Sequence, residues 1–89
     1  MEENIRTLAL TSYVRISKVR RKILADLAAE PKFPSEIVRN QKIDFATVSK
    51  TLKTLVDKKI AICYTPEHRK GKLYGLTEVG KEIKATIDD

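Results

Sequence analysis

The chain has 89 residues, with 18 Lys and Arg against 12 Asp and Glu, so its net charge at pH 7 is +6. Four of the acids lie at the two ends, which leaves 18 basic and 8 acidic residues, a net charge of +10, between residues 4 and 87. This length allows one domain, and so basic a domain favours a polyanionic partner, either a nucleic acid or an acidic membrane surface. An apolar fraction of 42% with three Pro and three Gly excludes a disordered chain.

The composition also excludes several kinds of site. No apolar run reaches the roughly 18 residues of a membrane span, and the acidic N-terminus does not resemble a signal peptide. Cys63 is the only cysteine, so no disulfide forms within the chain, and one Cys with one His cannot build a tetrahedral zinc site. We therefore expect a cytoplasmic protein with no membrane contact, no metal, no cofactor and no evident small-molecule ligand. No acid–base pair, phosphate loop or activated nucleophile indicates an enzyme.

The N-terminal third contains one weak and one strong helical pattern. Residues 1–16 are predicted to form an N-terminal arm or a short helix, with residues 13–16 as a short strand or a bent connection. Ser17 is a plausible N-cap for an amphipathic helix of about three turns that Pro31 ends. Five of the eight residues from 15 to 22 are basic. Of these, Arg20, Arg21 and Lys22 either contact phosphate groups or form the solvated side of this helix.

Two further helices follow with about four residues between them. Pro34 opens a short helix, since its missing N–H has no partner in a first turn, and Asp44 caps a longer helix over about residues 45–58. The predicted buried stripe of the longer helix consists of Phe45, Val48, Leu52, Leu55 and Val56. Its opposite face is small, hydroxylated or cationic until Asp57.

A β-hairpin and a last helix complete the pattern. Residues 60–65 and 72–76 are predicted strands around a basic turn at residues 66–71, and Thr77 caps a helix over residues 77–88. The predicted fold is mainly α with a small β-hairpin (α+β), in the order helix-helix-helix-strand-strand-helix, within one domain over residues 1–89. Two helices joined by a short turn form a helix-turn-helix, and a hairpin directly after them is a wing.

Over residues 13–84 the sequence resembles small prokaryotic, especially archaeal, winged helix-turn-helix transcription regulators similar to the MarR and ArsR groups. Four segments in the right order carry the resemblance: Pro34-Ser35-Glu36-Ile37, residues 48–55, Pro66-Glu67-His68-Arg69 with Gly71-Lys72-Leu73-Tyr74, and residues 76–80. The resemblance implies a sequence-specific, double-stranded DNA-binding regulator of transcription. Its third predicted helix would enter the major groove, and the wing tip, about residues 66–72, would approach the adjacent minor groove or backbone.

By the same resemblance, the DNA-binding residues are Ser35, Ala46, Thr47, Ser49, Lys50, Lys53, Thr54, His68, Arg69, Lys70 and Lys72. The simpler alternative is that the cations are solvated and that the hydroxyls bond nearby backbone. The third predicted helix has no Arg, Asn or Gln for bidentate base contacts. Recognition of the DNA sequence is therefore expected to depend on small residues, DNA shape and insertion of the wing. The alternative function is a winged-helix protein-interaction or RNA-binding module in a larger assembly.

The sequence departs from the family in three places. Gln41-Lys42 occupies the turn where the family often has Gly, and Lys59 stands where Gly usually follows the third helix. A left-handed Lys costs on the order of 1 kcal/mol, so a different helix end is expected at Lys59. The paired-cysteine motif of the ArsR-type metal sensors is absent, which argues against metal sensing.

A homodimer is expected, because two half-sites add their binding energies. The candidate interface consists of Ile5, Leu8, Val79, Ile83 and Ile87, and the alternative is that both segments pack on their own chain. Gly80, in the first turn of the last helix, predicts close packing against a neighbouring backbone. Cys63 is expected to be a small buried or half-buried residue.

Overall fold

The computed structural model describes residues 2–88, with side chains from residue 5 onward. The elements in chain order are α1 (Glu2–Arg15), α2 (Lys18–Ala29), α3 (Pro34–Gln41), α4 (Phe45–Asp57), β1 (Ala61–Cys63), β2 (Tyr74–Leu76) and α5 (Glu78–Asp88). The predicted fold class, mainly α with one antiparallel hairpin, is confirmed over these residues. None of their helices is long and apolar enough to cross a membrane.

The N-terminal segment differs most from the prediction. α1 is a helix of 14 residues that includes Tyr13 and Val14, so the strand or bend expected at residues 13–16 is wrong. Val14 is completely buried. The Arg20 guanidinium donates a hydrogen bond of 2.9 Å to the Tyr13 carbonyl, and Arg21 donates one to the Arg15 carbonyl. α1 therefore extends to Arg15 because the next helix supplies partners for its last carbonyl groups.

The core lies between the helices and the base of the hairpin. Its buried members are Val14, Ile23, Leu24, Leu27, Ile37, Val48, Leu52, Leu55, Ile60, Ala61, Leu76 and Ile83. Ile83 is completely buried in the chain's own core, so it is not available to a second copy, and its assignment to the dimer interface is wrong. Phe45 is also misassigned, because it is 59% exposed and not part of the buried stripe of α4.

Three predicted N-caps are confirmed. Side-chain oxygens of Ser17, Asp44 and Thr77 accept hydrogen bonds from the backbone N–H groups of Arg20, Thr47 and Gly80, at 3.2, 2.9 and 3.0 Å respectively. Each bond satisfies an N–H group that has no partner within its own helix. The starts of α2, α4 and α5 are therefore encoded locally.

α4 ends in a left-handed geometry that a lysine disfavours. Lys59 has φ 64°. Its N–H donates to the Val56 carbonyl at 3.0 Å, and the Ile60 N–H donates to the Leu55 carbonyl at 2.9 Å. These two bonds define a Schellman motif, and its usual hydrophobic pair is present because Leu55 and Ile60 are both completely buried. The different helix end expected at Lys59 is therefore wrong.

The turn between α3 and α4 also uses a left-handed Lys. Lys42 has φ 55°, and its N–H donates to the Val38 carbonyl at 2.9 Å. The chain then enters α4 through Ile43 and Asp44. Lys42 therefore performs the backbone role for which the family often uses Gly, at a cost on the order of 1 kcal/mol.

β1, β2 and the connecting loop of residues 64–73 form the wing. The strands are shorter than predicted and pair Ala61 with Leu76 and Cys63 with Tyr74. The Tyr64 N–H still donates to the Leu73 carbonyl at 2.8 Å, so the two arms remain joined just beyond the strands.

Lys32, in the connection between α2 and α3, joins that connection to the wing through hydrogen bonds. Lys32 and Tyr74 exchange two backbone hydrogen bonds, of 2.9 and 3.0 Å. The buried Lys32 ammonium lies 3.5 Å from Asp26 Oδ1 and donates to the Asp26 carbonyl at 2.9 Å. The Asn40 amide donates to both Asp26 carboxylate oxygens at 3.3 Å. α2, α3 and the wing base are therefore held in one fixed arrangement.

Candidate nucleic-acid interface

The exposed face of α4 carries the predicted small and cationic side chains. Ala46, Lys50 and Lys53 are exposed, and Ser49 is half-buried at the edge of the same face. Burial of Val48, Leu52 and Leu55 on the opposite side fixes the rotation of the helix. α4 therefore presents its cations outward.

The hydroxyl groups of Thr47 and Thr54 are partly committed within α4. Thr47 Oγ1 donates to Asp44 Oδ1 at 2.8 Å, and Thr54 Oγ1 donates to the Lys50 carbonyl at 3.1 Å. The hydrogen bond from the Thr47 side chain, with a second from its backbone N–H, lowers the pKa of the Asp44 carboxyl. Asp44 therefore stays ionised at the start of α4, and both threonine hydroxyl protons are already in use.

The wing tip presents cations on a defined loop. His68, Arg69 and Lys70 are exposed, and Lys72 is half-buried. Gly71 has φ 66°, a left-handed conformation that favours glycine. One acid interrupts the positive charge, since Glu67 Oε1 lies 3.7 Å from His68 Nε2.

Thr65 sets the path of this loop. Its carbonyl accepts a hydrogen bond of 3.0 Å from the His68 N–H, which closes a turn around Pro66 and Glu67. Its hydroxyl oxygen accepts from the Leu73 N–H at 2.9 Å. Thr65 therefore hydrogen-bonds both sides of the wing tip, at His68 and at Leu73.

An open cavity of about 530 Å³ lies between the wing tip and the first turns of α3 and α4. The predicted residues that line it are Ser35, Ser49, Arg69, Lys70 and Lys72. Ala46, Lys50 and Lys53 lie on the adjoining exposed face of α4, and His68 lies on the exposed loop. The structure therefore brings α3, α4 and wing residues that are distant in sequence around one space.

Five of the ten residues that line this cavity are not among the predicted DNA-binding residues, and two of the five are exposed Phe side chains. Phe45 and Phe33 line it, and they are 59% and 41% exposed. Phe45 has the periodicity of the buried stripe, but it is the first residue of α4 and extends past the edge of the core. The Asp44 cap was the signal that could have identified this position, because it places Phe45 before the first complete turn.

The basic run at residues 15–22 is partly structural. The Arg20 guanidinium bonds the end of α1 and also lies 3.6 Å from the centroid of the Tyr13 ring. The Arg21 guanidinium bonds the Arg15 carbonyl. Arg20 and Arg21 therefore have a capping role at the end of α1, in addition to the predicted alternatives of a phosphate contact or a solvated face.

The four remaining residues of the candidate dimer interface differ in their exposure to solvent. Ile5 and Leu8 on α1 are 68% and 65% exposed. Val79 and Ile87 on α5 are partly buried and pack against the chain's own core.

Cys63 is half-buried, as expected. Burial raises the pKa of the neighbouring Tyr74 phenol, and Cys63 adds to this effect. Among the side chains that the structure describes, those of residues 5–88, no group of three or more His, Cys, Asp and Glu is placed to hold a metal ion.

No protein-family model and no curated protein matches this sequence. Solved structures do match. HlyU from Vibrio cholerae has a TM-score of 0.77 at 19% identity, over 99% of this chain and 91% of HlyU. A MarR family transcriptional regulator from Silicibacter pomeroyi has a TM-score of 0.66 at 24% identity, over 97% of this chain and 60% of the regulator. A mutant of ZitR from Lactococcus lactis has a TM-score of 0.69 at 24% identity, over 79% of this chain and 49% of ZitR.

The fold is a winged helix. Its helix-turn-helix consists of α3 and α4. At these identities the likeness establishes the fold, whereas function depends on the site. The chain spans about half the length of ZitR and 60% of that of the MarR family regulator.

Proposed function

We propose that the chain is a sequence-specific transcription regulator that binds double-stranded DNA. α4 enters the major groove, and the wing tip contacts the adjacent minor groove or backbone. One observation carries this proposal: Arg69, Lys70 and Lys72 of the wing tip line one cavity with the first turn of α4. Lys50 and Lys53 add exposed positive charge on the same helix. The Silicibacter pomeroyi protein of the same fold is a transcriptional regulator, which supports the proposal.

The dimensions of the groove and of the helix agree with this arrangement. The major groove of B-form DNA is about 12 Å wide and admits one α-helix. In a helix-turn-helix, the N-terminal residues of the second helix contact base edges. In this chain those residues are Ala46, Thr47 and Ser49. Lys50 and Lys53 on α4, and Ser35 at the start of α3, contact phosphates in the proposed complex.

Duplex DNA is a better partner than RNA for this geometry. The major groove of A-form RNA is deep and narrow, so side chains on a helix such as α4 cannot read it. Proteins that bind single strands instead use clustered aromatic platforms. Tyr13 stacks on Arg20 and Tyr74 is paired into the wing base, whereas Phe33 and Phe45 are exposed beside the wing. The groove dimensions, and not the aromatic side chains, therefore favour duplex DNA.

Affinity for duplex DNA is expected to fall steeply with salt. About five phosphate contacts per domain give a slope of about −4.5 in log affinity against log salt, which is about a 500-fold loss between about 50 and 200 mM salt. Fluorescence anisotropy with a labelled duplex of random sequence measures this slope. An affinity that does not change with salt would contradict the proposal, and tighter binding to an RNA duplex of the same length would favour the RNA-binding alternative.

We further propose that two copies associate through α1 and α5. Ile5 and Leu8 lie about one turn apart on α1, and both are more exposed than large apolar residues usually are. α5, which packs beside α1, adds the partly buried Val79 and Ile87. Ile83 has no part in this interface because the core encloses it.

Replacing Ile5 and Leu8 together by Lys is expected to convert the dimer to a monomer, because it places two charges in an apolar contact. Ile16→Lys is the matched control, since Ile16 is also on the surface near the end of α1 and is 79% exposed. Sedimentation equilibrium up to high micromolar concentration measures the mass. A monomeric unsubstituted chain, or loss of the dimer in both variants, would contradict the proposed interface.

A further inference from the structure

We infer that Phe45 contacts a thymine methyl group in the major groove and thereby selects the DNA sequence. This inference rests on the proposed function and extends it from binding to base recognition. It concerns an apolar side chain that the sequence pattern assigns to the core and that the structure places on the surface.

The position of Phe45 is fixed although its ring is exposed. The Asp44 side chain caps α4 at the Thr47 N–H, so the backbone of Phe45 is held at the first helical position. The ring is 59% exposed and lines the cavity between α4 and the wing, together with Ser49, one turn further along α4. An apolar side chain at this position of a groove-bound helix lies among base edges.

The charges around Phe45 favour a base over a phosphate. Arg69, Lys70 and Lys72 border the wing side of the cavity, and Lys50 lies on the adjoining exposed face of α4. These cations are placed to hold phosphate groups on either side. Asp44 directly precedes Phe45, and the hydrogen bonds from Thr47 keep its carboxylate ionised, so a phosphate at Phe45 itself would be repelled.

The chemistry of the groove then selects thymine. The only apolar group that a base pair presents in the major groove is the thymine C5 methyl, and Phe is one of the side chains that contact it. All four bases also present hydrogen-bond donors or acceptors there, which a phenyl ring cannot satisfy, so the methyl group is what distinguishes thymine for Phe45. The same contact supplies a base preference to a helix face that lacks Arg, Asn and Gln.

Deoxyuridine substitution provides the test, because it removes the methyl group and leaves base pairing intact. A preferred site is first selected from random duplexes with the unsubstituted protein, and each thymine is then replaced singly. Binding is expected to weaken about fourfold at one thymine per half-site, the effect of one buried methyl group. Phe45→Ala is expected to abolish this fourfold difference at that position and to bind more weakly overall.

Lys70→Ala is the matched control from the opposite side of the cavity. It is expected to weaken binding to every duplex and to keep the deoxyuridine penalty, which is the fourfold loss of affinity when deoxyuridine replaces the contacted thymine. A thermal melt close to that of the unsubstituted protein shows that Phe45→Ala is folded, as its exposure leads us to expect, and Phe45→Leu is expected to retain part of the penalty.

The outcomes separate the two proposals. If the protein binds duplex DNA and Phe45→Ala keeps the full deoxyuridine penalty, or if no thymine shows one, the role of Phe45 is overturned and the proposed function stands. If the unsubstituted protein binds no duplex, the proposed function fails and the role of Phe45 fails with it.

Discussion

Reversing the charges of Lys50 and Lys53 together is expected to lower the affinity for duplex DNA about 100-fold. Both side chains are exposed on α4, on the face opposite the buried Leu52 and Leu55. In the proposed complex each ammonium group lies near phosphates, so Lys→Glu removes an attraction and adds a repulsion. The slope of log affinity against log salt is also expected to become shallower, by about one for each phosphate that the variant no longer neutralises.

The double variant Lys18→Glu/Lys81→Glu is the matched control. It changes the net charge by the same amount at two exposed lysines on α2 and α5. Among the described side chains, the one ion pair that it breaks is the exposed pair between Lys81 and Glu78. We expect its loss of affinity to be about tenfold smaller than that of the α4 variant, since only long-range attraction is reduced. Equal losses in anisotropy titrations would mean that net charge, and not the face of α4, determines binding.

Both variants are expected to unfold at nearly the same temperature as the unsubstituted protein. All four lysines are exposed, and substitutions of such residues usually change stability by less than about 0.5 kcal/mol. Thermal melts followed by circular dichroism test this. Loss of duplex binding at an unchanged melting temperature would place the effect in the interface, whereas unaffected binding would favour the protein-interaction alternative.

The parts of the fold that sequence predicts well are those with local causes. Ser17, Asp44 and Thr77 bond N–H groups three residues ahead, so the sequence marks the starts of α2, α4 and α5. The exposed face of α4 is predictable for the same reason, because the helical period that buries Leu52 places Lys50 on the surface.

The parts that sequence misses depend on distant residues. α1 is longer than its apolar pattern suggests because Arg20 and Arg21 of the next helix bond its last carbonyl groups. Lys32 reads as a surface charge, yet it is buried beside Asp26 and its backbone pairs with Tyr74, 42 positions away. Such contacts leave no periodic pattern for a sequence to show.

The two wrong predictions at the ends of α4, a buried Phe45 and a different helix end at Lys59, both arise because packing against other elements decides these positions. The period of the stripe continues through Phe45, but the core ends before it, and this boundary depends on where α3 and the wing lie. At the other end, a left-handed Lys59 is unfavourable by itself. Burial of Leu55 and Ile60 offsets that cost, and this burial is a property of the assembled core. Local propensity is therefore overridden where α4 meets other elements.

Gly80→Ala is expected to destabilise the protein by about 3 kcal/mol, a large part of the stability of so small a domain. A Cβ atom at Gly80 would lie 2.2 Å from the Ile60 carbonyl oxygen and 3.2 Å from Leu76 side-chain atoms. The Ile60 backbone cannot easily move, because its N–H is bonded to Leu55 and its carbonyl accepts from the Thr77 N–H at 3.1 Å. The sign of the change in the free energy of unfolding distinguishes a crowded site from an open one, because Gly→Ala inside an unhindered helix normally stabilises a protein by about 1 kcal/mol.

Lys81→Ala is the control for this substitution, because it changes the next residue of α5 on its exposed side and is expected to alter stability by less than about 0.5 kcal/mol. Urea unfolding followed by circular dichroism gives both free energies. Gly80 is buried and cannot touch DNA, so its variant is expected to lose affinity only in proportion to the unfolded fraction. An excluded osmolyte such as trimethylamine N-oxide should then restore both the folding and the DNA binding of Gly80→Ala. It should not restore DNA binding to the Lys50 and Lys53 variant, because that variant is already folded. A Gly80→Ala protein as stable as the unsubstituted chain would contradict the close approach of α5 to the end of α4.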